Sequence, residues 1–219
     1  MGAVDNALLR GAVSDSVSGM RWEDLFTDLE GQLESEFSSE ESDLRAEEER
    51  LRLARLGVRD RLLAVHTAGP ELADRLLRVN LRDGTRLAVT PTTFGRDWFV
   101  ADLHGEMRRE RPCIVPLDAI ASVSFTAAQV YASLDAPPPD DKRQSLASRL
   151  GLGFLLRDLC RRRVAVQLQL TGLTVAGTLD RVGRDHCDLA VHDAGGVRRE
   201  SGITEFRMVR FSELLLVRF

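Results

Sequence analysis

The chain has 219 residues, 43% of them hydrophobic, and a formal net charge of −4. That length holds one large or two small domains, the composition is ordinary for a globular protein, and no apolar run nears the ~18–20 residues that cross a bilayer. Residues 1–20 lack a basic stretch ahead of an apolar core, so no secretory signal is expected and a soluble, cytoplasmic protein without a membrane partner is.

Residues 1–20 mix small and polar side chains and read as a disordered tail. Residues 21–57 read as an acidic helical arm. Trp22, Leu25, Phe26, Leu29 and Leu33 recur at spacings of three and four, which places them on one face. Ser38 or Ser39 is placed to cap a second helix from about Glu40. Glu41 before Arg45 and Glu48 before Arg52 give favourable pairs one turn apart. Residues 1–60 carry 7 basic and 15 acidic side chains, whereas residues 151–219 carry 11 basic and 8 acidic. The acidic excess therefore belongs to the arm, which repels nucleic acid.

Residues 58–134 then present short strands. Leu77, Val79 and Leu81 alternate, Asp83-Gly84 is a hairpin signal, and Leu87 and Val89 carry the return. Gly95 marks a turn before a strand from Trp98, and two short strands follow through Phe125. Residues 135–144 contain three consecutive prolines and read as an extended linker. Residues 145–219 open with a helix to about Arg162. Val164, Val166, Leu168 and Leu170 then alternate into a turn at Thr171-Gly172, and further strands run to Phe219.

The two stretches repeat one another. Gly84 is followed eleven residues later by Gly95-Arg96-Asp97, and Gly172 eleven residues later by Gly183-Arg184-Asp185. Arg55-Leu56-Gly57-Val58 is matched by Arg149-Leu150-Gly151-Leu152. A repeat of this kind defines two like units. The order of a helix and five short strands, with Leu168 to Gly172, Gly177 to Leu179 and Val182 to Asp185, resembles the first Sm motif of Sm-like (LSm) proteins. Met208 to Phe211 and Leu214 to Val217 resemble the second. The layout of two units behind an acidic helix is similar to that of a group of actinobacterial proteins. The resemblance implies an α+β, mostly β fold: two tandem Sm-like five-stranded barrels, each preceded by a helix, with an acidic helical arm. Asp188 and Val100 stand where Sm proteins carry an RNA-contacting asparagine, so uridine recognition of that type is not expected.

Glycines Gly84, Gly95, Gly172 and Gly183 are expected to supply positive φ at turns, with Asp97 and Asp185 bonding nearby backbone. No metal is expected at His186, Cys187 and His192, because strand alternation separates the first two and a fourth ligand is missing. Cys113 and Cys187 are expected to fill the core, and three scattered cysteines make no disulfide framework. No nucleophile elbow, phosphate loop or dinucleotide fingerprint is present, so neither an enzyme nor a cofactor is expected.

Two binding readings remain. The apolar face of the arm suits a protein partner or self-association, which points to a non-catalytic adaptor or regulatory protein working through that arm and the barrel edges. The alternative is a nucleic-acid-associated regulator using Arg108, Arg109, Arg111, Arg161, Arg162, Arg163, Arg198 and Arg199 for phosphate contacts. In that reading Trp98 and Phe99 are candidates to stack bases, though alternation turns one of them inward.

Overall fold

The computed structural model describes residues 16–68, 72, 74–105, 111–135, 146–193 and 202–219, with side chains for all of these except 16–25, 39 and 111. The tail before residue 16, the break expected at Gly69-Pro70 and nearly all of the Pro-rich linker lie outside the described residues. The chain divides into two compact units, residues 1–55 and 56–219.

The first unit holds one helix, α1 (Ser16–Ala54). It passes through Ser38 and Ser39 without a break, so neither serine caps a second helix. Exposed ion pairs run along it, Arg45 to Glu41 at 2.9 Å and Arg52 to Glu49 at 2.7 Å. Pairs of this spacing support a helix by a few tenths of a kcal/mol each, and no proline interrupts the run.

The second unit begins with α2 (Val58–Thr67), then β1 (Leu77–Leu81), β2 (Arg86–Phe94), β3 (Trp98–His104), β4 (Arg111–Pro116) and β5 (Ile120–Ser124). A helix absent from the sequence reading, α3 (Ala127–Leu134), follows. Its cap is a reciprocal pair: Thr126 Oγ1 accepts from Gln129 N–H at 3.3 Å, and Gln129 Oε1 accepts from Thr126 N–H at 2.9 Å. The second half repeats the order as α4 (Leu146–Arg149), α5 (Leu152–Arg161), β6 (Ala165–Leu170), β7 (Leu173–Val182), β8 (His186–Val191), β9 (Glu205–Arg210) and β10 (Leu214–Arg218). The single helix expected over 145–162 is broken at Leu150-Gly151, where Gly151 adopts extended angles and caps α5.

The strands do not form two separate five-stranded barrels. They form one open antiparallel sheet of ten strands in the order β5-β1-β2-β3-β4-β10-β6-β7-β8-β9. The joint is β4 against β10, with Ile114 opposite Val217 and Cys113 opposite Arg218. Each half thus supplies a seam to the other. Leu215 and Leu216 of β10 pack in the core of the first half, while Trp98 and Ile114 pack in that of the second. Trp98 and Phe99 point to opposite faces, and both faces are covered.

The repeat survives in the geometry of this one sheet. The β2·β3 register shifts between Pro91 and Thr93, and the β7·β8 register shifts between Leu179 and Arg181 at matching positions. The β1·β5 register skips Ala121, and β10·β6 skips its counterpart Leu215. Gly84 and Gly172 have φ of +84° and +72°, as their hairpins require. Gly95 and Gly183 do not. They are glycine because a Cβ would lie 2.2 Å from the Trp98 ring and 2.5 Å from the His186 ring, respectively.

Candidate functional site

Three features carry candidate chemistry: the apolar residues of α1, the turns that join the two halves of the sheet, and the arginine clusters. On α1, Phe26 is 60% exposed, Leu29 46%, Leu33 50% and Phe37 65%. Leu44 and Leu51 continue the series toward the end of the helix. Trp22 and Leu25 belong to α1, but their side chains lie outside the described residues. Spacings of three, four and four place Phe26, Leu29, Leu33 and Phe37 on one side, and carboxylates occupy much of the remaining surface.

Gly95 N–H closes the Gly95-Arg96-Asp97-Trp98 turn on Trp98 O at 2.8 Å, but the Asp97 carboxylate reaches the other half of the sheet rather than the nearby backbone expected. Asp97 Oδ1 accepts the Leu152 N–H at 2.7 Å, so a carboxylate of the first half caps α5 of the second. Leu150 O accepts from Arg96 N–H at 3.0 Å and from Trp98 Nε1–H at 3.0 Å. A Cβ at Gly151 would sit 2.5 Å from the Arg96 guanidinium, the end of an exposed side chain that can move aside. The first hairpin also reaches across: Gln169 Nε2 donates to Asp83 Oδ2 at 3.0 Å and to Thr85 Oγ1 at 2.8 Å. Burial works against the charged form of Asp83, but bonds from Thr85 and Gln169 outweigh it and hold the carboxyl below its usual range. The equivalent turn of the second half, Gly183 to His186, has no such neighbour among its described contacts. There Asp185 Oδ1 meets His186 Nδ1 at 2.9 Å, and this bond lowers the Asp185 pKa.

A threonine–histidine pair occurs in both halves and was missed in the sequence. Thr90 Oγ1 lies 2.8 Å from His104 Nε2, and Thr178 Oγ1 lies 2.8 Å from His192 Nε2. The fourteen-residue spacing is the same in each, which is the signal that sequence comparison of the repeats contains. His192 is 7% exposed and its Nδ1 lies 3.0 Å from Asp193 O. A ring nitrogen that donates to that carbonyl leaves Nε2 as acceptor for the Thr178 hydroxyl. This is a satisfied buried histidine that pins β7 to the end of β8.

His186 and Cys187 alternate as expected: Cys187 is buried and His186 half-buried on the other face. Among the described residues no three His, Cys, Asp or Glu side chains converge on a point where a metal ion would fit. Burial pushes the Cys113 thiol up to about 11 and the Cys187 thiol to about 12. Both are inert core groups at neutral pH.

The arginines divide unevenly. Arg108, Arg109, Arg198 and Arg199, and the side chain of Arg111, lie outside the described residues. Arg161 and Arg162 flank one carboxylate, Asp158, at 2.6 and 2.7 Å, and Arg163 is 3.4 Å from Asp180. Arg163 also has φ of +54°. It follows the C-cap of α5, where Arg163 N–H bonds Cys160 O at 3.1 Å and Val164 N–H bonds Leu159 O at 3.1 Å. Glycine usually takes that position, and an arginine there costs about 1 kcal/mol.

Compared with family models, curated proteins and solved structures, the chain gives no match in any of the three. The resemblance to Sm-like proteins therefore gains nothing from those comparisons. No helix among the described residues is long and apolar enough to cross a membrane.

Proposed function

We propose that the protein is a non-catalytic, cytoplasmic adaptor or regulatory protein that takes a protein partner on the apolar side of α1. The observation that carries this reading is the run Phe26, Leu29, Leu33 and Phe37, each between 46% and 65% exposed on a helix otherwise rich in carboxylates. Aromatic and leucine side chains at helical spacing are the anchors a groove on another protein accepts, and covering them returns about 25 cal/mol for each Å² removed from water. The acidic rim favours a partner whose groove is bordered by basic residues.

The nucleic-acid alternative is supported less well, because Arg161, Arg162 and Arg163 each face a carboxylate of their own chain. The test uses the full chain and its Phe26→Ser, Leu33→Ser, Phe37→Ser triple variant. A protein captured by the wild type and then purified is expected to bind the variant at least about tenfold more weakly. Equal binding by both refutes the arm as the site. In parallel, oligonucleotide binding that falls steeply with salt would move the assignment to the arginines.

A further inference from the structure

We propose that the partner taken by α1 presents a single basic helix, which pairs with α1 as a two-stranded coiled coil and sets lysine or arginine against Glu40 and Glu47. This rests on the reading of α1 as the binding side and says what that side accepts.

The spacing points to a helix. Phe26 and Leu33 stand seven residues apart, and so do Phe37 and Leu44, and Leu44 and Leu51. All five are exposed, from 50% to 66%. The first row continues through Glu40, Glu47 and Ala54, the second starts at Glu30, and the two interleave at steps of four and three. A straight helix drifts by about 20° per seven residues, so rows this regular stay against a neighbour when two helices wind round each other. From Phe26 to Leu51 the rows cover about 38 Å, more than the ~30 Å diameter of a small domain. A groove on such a domain is too short to cover them, and a second helix is not.

The carboxylates set the charge of that helix. Glu40, Asp43, Leu44 and Glu47 line a depression on α1 together with Ala46 and Arg50. The first four have the i, i+3, i+4, i+7 arrangement of a hole that receives one side chain of a facing helix. Three of those four are carboxylates. Neither Glu40 nor Asp43 has an ion pair among the described residues, and Glu47 meets the exposed Arg50 at 3.4 Å. An apolar side chain inserted here would strip water from the carboxylates and replace none of their bonds, which is costly. A lysine or arginine lays its stem along Leu44 and brings its charged head to the carboxylates.

Charge also rules out a second copy as the occupant. Residues 16–54 carry 12 acidic and 4 basic side chains. In a parallel pair of α1 helices Glu40 would meet Glu40 and Glu47 would meet Glu47. In the antiparallel pair that matches Phe26 with Leu51 and Leu33 with Leu44, Glu30 would meet Glu47. Like charges set face to face oppose association.

The test titrates the full chain with a synthetic peptide of about four heptads. Its seam positions are leucine, except for lysine opposite Glu30, Glu40 and Glu47, and one version is made for each chain direction. Control peptides carry glutamate in place of lysine. One lysine version is expected to bind in equal stoichiometry and the controls are not. The Glu40→Lys, Glu47→Lys variant, altered at exposed residues, is expected to bind the lysine peptide at least about tenfold more weakly and to gain binding of the matching control. No binding by either lysine version overturns the proposal, as does equal binding by the wild type and the charge-reversed variant. A dimer of the full chain in light scattering that Leu44→Lys dissolves would make a second copy the occupant and overturns it too. Failure of the underlying reading looks different. A purified partner that binds the Phe26→Ser, Leu33→Ser, Phe37→Ser variant as well as the wild type removes the arm as the site. Loss of that partner in the serine variant, with no change in Glu40→Lys, Glu47→Lys, keeps the arm and removes the basic helix alone.

Discussion

The two halves of the sheet share strand order, bulge positions and a threonine–histidine pair, yet they differ in what lies beyond their outer strands. In the first half the fourth strand meets β10, and the turn between the second and third strands caps α5. In the second half the fourth strand ends the sheet, and the turn between the second and third strands carries an uncovered carboxylate, Asp185. Equivalent positions accordingly hold Ile114 buried and Met208 exposed, Leu152 buried and Val58 exposed. The lesson is that burial in a repeat protein is set by the neighbour as much as by the residue. Four experiments sharpen this comparison or break it.

The largest effect is expected at the joint. Ile114→Ala is expected to cost about 2–4 kcal/mol in urea unfolding, the range for truncating a fully buried aliphatic side chain. Met208→Ala, at an exposed side chain of the end strand β9, is expected to stay within about 0.5 kcal/mol. Equal costs would end the distinction between sealed and open edges. Next comes the histidine pair. His192→Ala removes a buried acceptor of the Thr178 hydroxyl and is expected to cost about 1–3 kcal/mol, while His104→Ala, at an exposed residue, is expected to cost a few tenths by thermal melting.

The turns rank third. Asp97→Ala is expected to cost about 1 kcal/mol, as for the loss of a helix cap, whereas Asp185→Ala is expected to leave the denaturation midpoint unchanged. A matching loss in both would show that the aspartates act locally rather than across the joint. The smallest effect is a pH dependence of the first half. His66 packs on Phe94 with ring centroids 5.6 Å apart, and its pKa is lowered by burial, with the Arg75 charge adding to the shift. Folding therefore favours the neutral ring. Its contribution is complete above the ordinary histidine value of about 6.5 and is lost as pH falls through the lower folded value. The matching residue in α5 is Cys160, so the second half has no histidine at this position. A slight stability decline in mild acid, abolished in His66→Leu, is the expected result.

Much of the local structure was legible. Strand alternation placed Leu77, Val79 and Leu81 on one face, and all three are buried. Asp83-Gly84 and Thr171-Gly172 marked hairpins because only a residue tolerant of positive φ closes them. Other features were not. The cap Thr126 to Gln129 was present in the sequence but lay beyond the last expected strand. Turn chemistry predicts positive φ at Gly95 and Gly183, whereas neither has it and the rings of Trp98 and His186 stand where a Cβ would go. The apolar series of α1 was visible from its spacing, but the unbroken helix through Ser38 was not, since serine is equally at home at a cap and on an exposed helix surface.

By itself the sequence determined the period of each element, the repeat and the hairpins, because these depend on contacts a few residues apart. It could not determine that β4 pairs with β10, that Asp97 caps a helix 55 residues away, or that Met208 stands uncovered where Ile114 is sealed. Every strand edge presents the same amides and carbonyls whatever its side chains are, so local pattern leaves the choice of neighbour open. That choice is made by packing between distant segments, where Leu215, Leu216, Trp98 and Ile114 fill each other's cores, and only the tertiary structure records it.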